Sequence, residues 1–100
     1  MRVSFDFDDT LTTRKGKEAL VRRLSAGDVV YIITRRSERF KKAVIDFAKG
    51  YRIPLYRVIF TGGKMKWEAV KRHKIDVHYD NNPDELKLIR EHTDSRGILI

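Results

Sequence analysis

Asp6, Asp8 and Thr10 lie at alternate positions where the first apolar run of the chain ends. Carboxylates packed this closely repel one another, so a folded cluster of them requires a compensating cation. Hard oxygen ligands at the end of a strand suit Mg²⁺. The simpler interpretation is that Asp8, Asp9 and Thr10 only cap a turn, as Asp and Thr often do. The preceding apolar run, and matching residues further along the chain, favour the chemical interpretation.

A second group of candidates could bind an anion. Thr34 ends another apolar run and precedes Arg35 and Arg36. A hydroxyl, free helix amides and two guanidinium groups together could bind a phosphate. Taken alone, the pattern would instead indicate that Thr34 caps a helix and that the two arginines lie on the surface. Lys64 and Lys66 flank the start of a later helix, where a cation is slightly unfavourable unless it faces an anion. Either lysine could serve, and Lys66 is preferred.

A third group of polar residues follows the fourth apolar run. Asp80 ends that run, and Asp84 is the second acid expected at the site. Asp76 would lie about 13 Å from Asp80 along an extended strand, too far to share one metal ion. His78 and Tyr79 are expected to pack against helices and are given no catalytic role.

The elements that would position these residues alternate regularly along the chain. Continuous apolar runs predict strands before Asp6 and at 28–34, 56–60, 76–79 and 97–100. Helical periodicity predicts helices over 15–26, from a cap at Ser37 to Gly50 with Phe40 on the buried face, around Trp67, and from Pro83 onwards. This alternation predicts a single Rossmann-like α/β domain over residues 1–100, with three layers and a five-stranded parallel sheet covered by helices on both faces.

Composition narrows the class of protein. The chain has 100 residues, is 41% hydrophobic and 36% charged, and contains no cysteine, which excludes disulfides and thiolate chemistry. No apolar run reaches membrane-spanning length and the first residues enter a strand, so a cytoplasmic protein without membrane contact is expected. The net charge of +8 suits a nucleic acid or a small anionic substrate, and equally a solvated lysine-rich surface.

The pattern resembles the haloacid dehalogenase-like (HAD) superfamily of phosphotransferases. The motifs that carry the resemblance occur in the family's order and at the predicted strand ends: Asp6-x-Asp8-x-Thr10, Thr34, a lysine at Lys64 or Lys66, and Asp80-x-x-x-Asp84. The resemblance covers essentially the whole chain. Two residues depart from the family's pattern near the metal site, since Tyr79 stands where many members have Gly and Asn81 where others have a second Asp.

The resemblance implies a Mg²⁺-dependent phosphatase. Asp6 would be the nucleophile that forms an aspartyl-phosphate, and Asp8 the general acid and then the base. Mg²⁺ would be bound by Asp6, Asp8 through its backbone carbonyl, and Asp80, with Asp84 acting through water. Thr34 and the lysine would hold the phosphoryl oxygens. Thr10, Arg35 and Arg36 are the remaining candidate substrate-binding residues.

The resemblance is to the minimal branch of the family that has no cap domain. A helix and a strand use most of the chain between Asp6 and Thr34, and only a glycine turn separates Phe60 from Lys64. An open site could admit a nucleic-acid 3′-phosphate, a nucleotide or a small phosphometabolite, with a neighbouring subunit of an oligomer as lid. The alternative function is a non-catalytic basic nucleic-acid-binding module on the same scaffold. A phospho-acceptor receiver domain is rejected, because it needs an acceptor Asp after the third strand, where Thr61 stands.

Overall fold

Five parallel strands and four α-helices alternate along the chain in the computed structural model, which describes residues 1–100. The strands are β1 (Arg2–Phe5), β2 (Val29–Thr34), β3 (Val58–Phe60), β4 (Val77–Asp80) and β5 (Arg96–Leu99). The helices are α1 (Arg14–Ser25), α2 (Lys42–Gly50), α3 (Trp67–Arg72) and α4 (Pro83–His92). The strands form one sheet in the order β3-β2-β1-β4-β5. The predicted α/β fold is confirmed.

Two apolar clusters, one on each face of the sheet, make the three layers. On one face Phe5 and Ile32 pack with Leu20 of α1 and Val44 of α2. On the other face Ile33 packs with residues of α3 and α4, namely Val70 and Ile89. Successive strand residues point to opposite faces, which is why Ile32 and Ile33 belong to different clusters. Both faces of the sheet are therefore covered, as a parallel sheet requires.

The second helix differs from the prediction. Ser37 makes no side-chain capping bond, a short tight turn occupies Glu38–Phe40, and α2 begins only at Lys42. Phe40 is consequently not on the buried helix face but 59% exposed. A second tight turn, Leu55–Arg57, precedes β3, so that β3 is shorter than the predicted strand. None of the helices has the length and apolar character that crossing a membrane requires.

The sheet has its topological switch point between β1 and β4. From β1 the chain continues to β2 and β3 on one side, and then crosses to β4 and β5 on the other. In open α/β sheets, ligands bind in the crevice outside the carboxyl ends of the strands at such a point. Asp6 directly follows β1, and Asp80 ends β4. The two acids thus meet where this fold offers a binding crevice.

Candidate active site

A buried lysine joins the acids of the site. The Lys66 ammonium donates to Asp6 Oδ1 at 2.8 Å and to Asp80 Oδ2 at 2.7 Å. It also lies 3.5 Å from Oε2 of Glu85. The four side chains are at most 7% exposed. Lys66 therefore supplies at least part of the positive charge that the packed carboxylates need.

Strand pairing places Asp6 beside Asp80. Phe5 of β1 is aligned with Tyr79 of β4, and the backbone amide of Asp6 donates to the Tyr79 carbonyl at 2.9 Å. Each acid is one residue beyond this aligned pair, so both lie on the face of the sheet that α3 and α4 cover. Lys66 directly precedes α3 and reaches the acids from that face.

Glu85 holds Lys66 in place from α4. Its two carboxylate oxygens accept from the Lys66 backbone amide, each at 3.3 Å. Glu85 is only 1% exposed and follows Pro83 in the first turn of the helix. Its buried carboxylate thus faces both the backbone and the ammonium of Lys66, where it supports the position of that side chain.

Asp80 is held by a second buried contact. Nε2 of His78 lies 2.8 Å from Asp80 Oδ2, and Nδ1 of His78 lies 2.6 Å from the hydroxyl of Ser4. An ionised carboxylate can only accept, so Nε2 carries the proton in this pair. The imidazole therefore links β1 to β4 and orients Asp80, as well as filling space in the core.

Thr10 supports Asp6 from below the site. Its hydroxyl donates to Asp6 Oδ2 at 2.9 Å, and Thr10 itself is fully buried. The first turn of α1 holds this loop closely, because a Cβ atom at Gly16 would lie 1.9 Å from the Thr10 carbonyl oxygen. Thr13 also caps α1 by accepting from the Gly16 amide at 3.1 Å. Thr10 was expected to bind substrate, and the structure places it behind the nucleophile candidate instead.

Asp8 points away from the buried cluster and towards Arg36. The guanidinium donates to Oδ2 at 2.9 Å and to Oδ1 at 2.8 Å. These hydrogen bonds lower the pKa of the Asp8 carboxyl below its ordinary value. The backbone of Asp9 adopts a left-handed conformation with φ of 60°, and its amide donates to the Thr12 hydroxyl at 2.9 Å. The chain thus turns sharply just after Asp8, whose side chain is held by Arg36.

A polar cavity of about 360 Å³ opens above these residues, at the low end of the range for small-molecule sites. Thr34 is buried at its wall, and Arg35 is anchored there by donating to the Gly63 carbonyl at 2.7 Å. No hydrophobic residue lines the cavity; its walls are formed by Asp6, Asp8, Asp9, Thr34, Arg35, Lys66, Asp80, Asn81, Asn82 and Pro83.

Four candidates do not line the cavity: Thr10 and Arg36, which bind Asp6 and Asp8, and the exposed Lys64 and Asp84. Lys64 is exposed and lines a separate depression with Met65 and Glu68, so Lys66 is the lysine that reaches the acids. Asp84 is also exposed, and its backbone amide donates to the Asn82 side chain at the start of α4. Glu85, the next residue along the chain, is the acid of this turn that is directed inwards.

Burial and charge set the protonation of the cluster. Burial raises the pKa of Asp6, although Lys66 opposes the shift. The pKa of Asp80 is lowered despite burial, because His78 and Lys66 stabilise its ionised form. The two acids together raise the pKa of Lys66 in spite of its burial. Three carboxylates face one ammonium, which leaves an excess of two negative charges when Asp6, Asp80 and Glu85 are all ionised.

No group of three or more acidic, histidine or cysteine side chains is arranged to hold a metal ion, so Asp6 and Asp80 are the two acids that could contribute to a cation site. Asp6 and Asp80 both line the cavity, and each directs one carboxylate oxygen away from Lys66. Those two oxygens accept from the Thr10 hydroxyl and the Asn82 amide. Mg²⁺ is commonly held by one or two carboxylates, with water and substrate phosphate completing the shell.

Three residues that support the site, Glu85, His78 and Gly16, were not identified from the sequence. The sequence position of two of them could have indicated their orientation. Glu85 lies four residues before Ile89, so the two share the buried face of α4. His78 lies two residues before Asp80 and therefore on the same side of β4. Gly16 gave no sign of its role, because its contact with Thr10 depends on how the turn returns to α1.

No protein-family model matches the chain, and no curated protein matches it.

Proposed function

We propose that this protein is a Mg²⁺-dependent phosphomonoesterase of the HAD-like superfamily, with Asp6 as its nucleophile. The observation that carries the proposal is the buried Asp6–Lys66–Asp80 cluster at the floor of a polar cavity that Thr34 and Asp8 also line. A carboxylate that is buried, fixed by two hydrogen bonds and open on one side to a polar cavity is suited to nucleophilic attack.

The reaction would take place in two steps at phosphorus. In the first step a carboxylate oxygen of Asp6 attacks the phosphorus atom, and the bond to the leaving alcohol breaks. Asp8 gives its proton to that alcohol oxygen. In the second step Asp8 takes a proton from water, whose oxygen attacks phosphorus. Inorganic phosphate is released, and the carboxylate of Asp6 is restored.

Cationic and hydroxyl groups of the cavity would bind the phosphoryl oxygens. The Lys66 ammonium is fixed by two carboxylates, so it requires little reorganisation as charge develops on those oxygens. Thr34 offers a hydroxyl at the opposite wall, and Arg35 a guanidinium held by the Gly63 carbonyl. When bound through Asp6 and Asp80, Mg²⁺ would neutralise the excess negative charge and polarise a phosphoryl oxygen.

The proposal is tested by a panel of phosphomonoesters assayed with and without Mg²⁺. We expect Mg²⁺-dependent release of phosphate from at least one compound among a generic aryl phosphate, a sugar phosphate, a nucleotide and a 3′-phosphorylated oligonucleotide. Asp6→Asn should abolish that release, because an amide is not a nucleophile of this kind. Binding of nucleic acid without release of phosphate from any compound would instead favour the non-catalytic basic module.

A further inference from the structure

An exposed aromatic ring belongs to the turn between β2 and α2. Phe40 belongs to the tight turn that follows the carboxyl end of β2, and it is 59% exposed. The guanidinium of Arg39 lies 5.5 Å from the centre of the ring. This guanidinium lies over the ring, and a planar, electron-rich group can stack on such an exposed pair of a cation and an aromatic ring.

Arg36 connects this surface to the site. One of its terminal nitrogens donates to the backbone carbonyl of Phe40 at 3.0 Å, while the remaining nitrogens bind Asp8. The ring therefore belongs to a turn that is connected, through Arg36, to Asp8 at the wall of the cavity. A groove of about 460 Å³ runs along this turn and is lined by Arg36, Arg39, Phe40, Lys42, Ala43 and Asp46.

One cation of the groove has no carboxylate partner. Arg36 is paired with Asp8, and Lys42 binds Asp46 at 2.9 Å, which leaves the guanidinium of Arg39 to meet an anionic ligand. The whole chain carries a net charge of +8. A small phosphate ester would need only the polar cavity, whereas a nucleic-acid strand would also use an aromatic ring flanked by cations.

We propose that Arg39 and Phe40 form a stacking platform for the terminal base of a phosphorylated single-stranded nucleic acid, whose end phosphate enters the cavity. The inference rests on the proposed function, because it assigns a substrate class to the same site. The base would lie on the Phe40 ring, and the guanidinium of Arg39 would contact the following backbone phosphate. A matched arrangement elsewhere on the surface provides a control: Tyr56 is 72% exposed, with the Arg57 guanidinium 5.3 Å from its ring centre.

Binding is measured by fluorescence anisotropy on a labelled short oligothymidylate with a 3′-phosphate, without divalent metal so that the ligand is not hydrolysed. Phe40→Ala should weaken binding about tenfold, a typical loss when a base-stacking aromatic is removed. Tyr56→Ala should bind like the unchanged protein. An oligonucleotide that lacks the base at its phosphorylated end should bind equally well to the Phe40→Ala and unchanged proteins.

Three outcomes would overturn the platform: unchanged binding by Phe40→Ala, an equal loss on the ligand without the terminal base, or an equal loss from Tyr56→Ala. A dimer in solution that dissociates in Phe40→Ala would assign the ring to contact between copies of the chain, and would also overturn it. Release of phosphate from glycerol phosphate, which has no base, is assayed in parallel on the unchanged protein. If no phosphate is released from glycerol phosphate, from the aryl phosphate or from the nucleotide, the proposed function is wrong. The comparison of binding affinities tests the platform independently of that result.

Discussion

Arg36 binds both carboxylate oxygens of Asp8, at 2.9 and 2.8 Å, and so holds the proposed proton donor in its ionised form. The pKa of Asp8 is lowered chiefly by these hydrogen bonds. Asp8 must be protonated to supply the leaving group, so this ion pair opposes the first chemical step. Binding of a substrate phosphate near Arg36 would compete with Asp8 for the guanidinium and release the acid.

Arg36→Gln should therefore shift the pH profile. The pKa of Asp8 lies low in the unchanged protein, and loss of Arg36 raises it towards its ordinary value. The two limbs of the kcat/KM profile lie at the pKa values of Asp6 and Asp8, so the limb that reports Asp8 should move to higher pH in the variant while the other stays in place. The profile is measured on a small sugar phosphate, with Arg57→Gln as a control that leaves Asp8 untouched. A profile in which neither limb moves to higher pH would contradict the assignment of Asp8 as the acid.

Lys66→Met should unfold at markedly lower denaturant concentration than the unchanged protein. Removing one partner of a buried ion pair costs roughly 3–5 kcal/mol, because the remaining charges are left buried without compensation. Phosphatase activity should fall at least about a hundredfold with the loss of a fixed charge at the phosphoryl group. Lys64→Met is the matched control, since an exposed lysine should change the free energy of unfolding by less than about 0.5 kcal/mol. Equal effects of the two substitutions would contradict the central position given to Lys66.

Glu85→Ala should lose stability and activity together, because the Lys66 amide then loses its buried acceptor. A buried donor without a partner costs about 1–3 kcal/mol, measured by urea unfolding. Glu85→Gln should recover most of the stability, since its amide oxygen can still accept. Asp84→Ala should lower the free energy of unfolding by less than about 1 kcal/mol, because it removes a negative charge that stabilises the first turn of the helix. Activity abolished by Asp84→Ala but retained by Glu85→Ala would restore Asp84 as the second acid of the site.

Gly16→Ala should destabilise the protein and lower its activity, although alanine is ordinarily the better helix former. The added methyl group would lie 1.9 Å from the Thr10 carbonyl oxygen, so the loop that holds Asp6 must move. Gly50→Ala is the matched control, because a Cβ atom there meets nothing within 4 Å. It should leave activity unchanged. Thermal unfolding and phosphate release of the two variants provide the comparison, and a Gly16→Ala protein as stable and active as Gly50→Ala would refute the close packing.

The sheet could be predicted from the sequence because each of its strands is a short apolar run that ends at a polar residue or turn. Ligands bind at the carboxyl ends of strands in such sheets, so Asp6, Thr34 and Asp80 could be predicted to lie at the same edge. Helix boundaries were less certain. The spacing of Phe40 from Val44 fits a helix face, but the tight turn before Lys42 changes the direction of the chain and exposes the ring.

The interior of the site was harder to predict than its outline. The need for a cation among packed carboxylates was inferred, but sequence could not show that Lys66 would lie between Asp6 and Asp80. The choice between Asp84 and Glu85 depends on the rotation of α4 by one residue, which is set by packing against β4 and β5. Gly16 acts through a contact between a helix and a turn. The spacing of apolar residues in the sequence does not predict such a contact.

In the proposed reaction Asp6 becomes phosphorylated during turnover. Borohydride reduces an acyl phosphate to an alcohol, so a protein treated with it while turning over a phosphomonoester should contain homoserine in place of Asp6. Mass spectrometry of the peptide that contains Asp6 detects the conversion. We expect it only when substrate and Mg²⁺ are both present, and not in Asp6→Asn. Steady release of phosphate without any modification of Asp6, or with modification at another carboxylate, would contradict the claim.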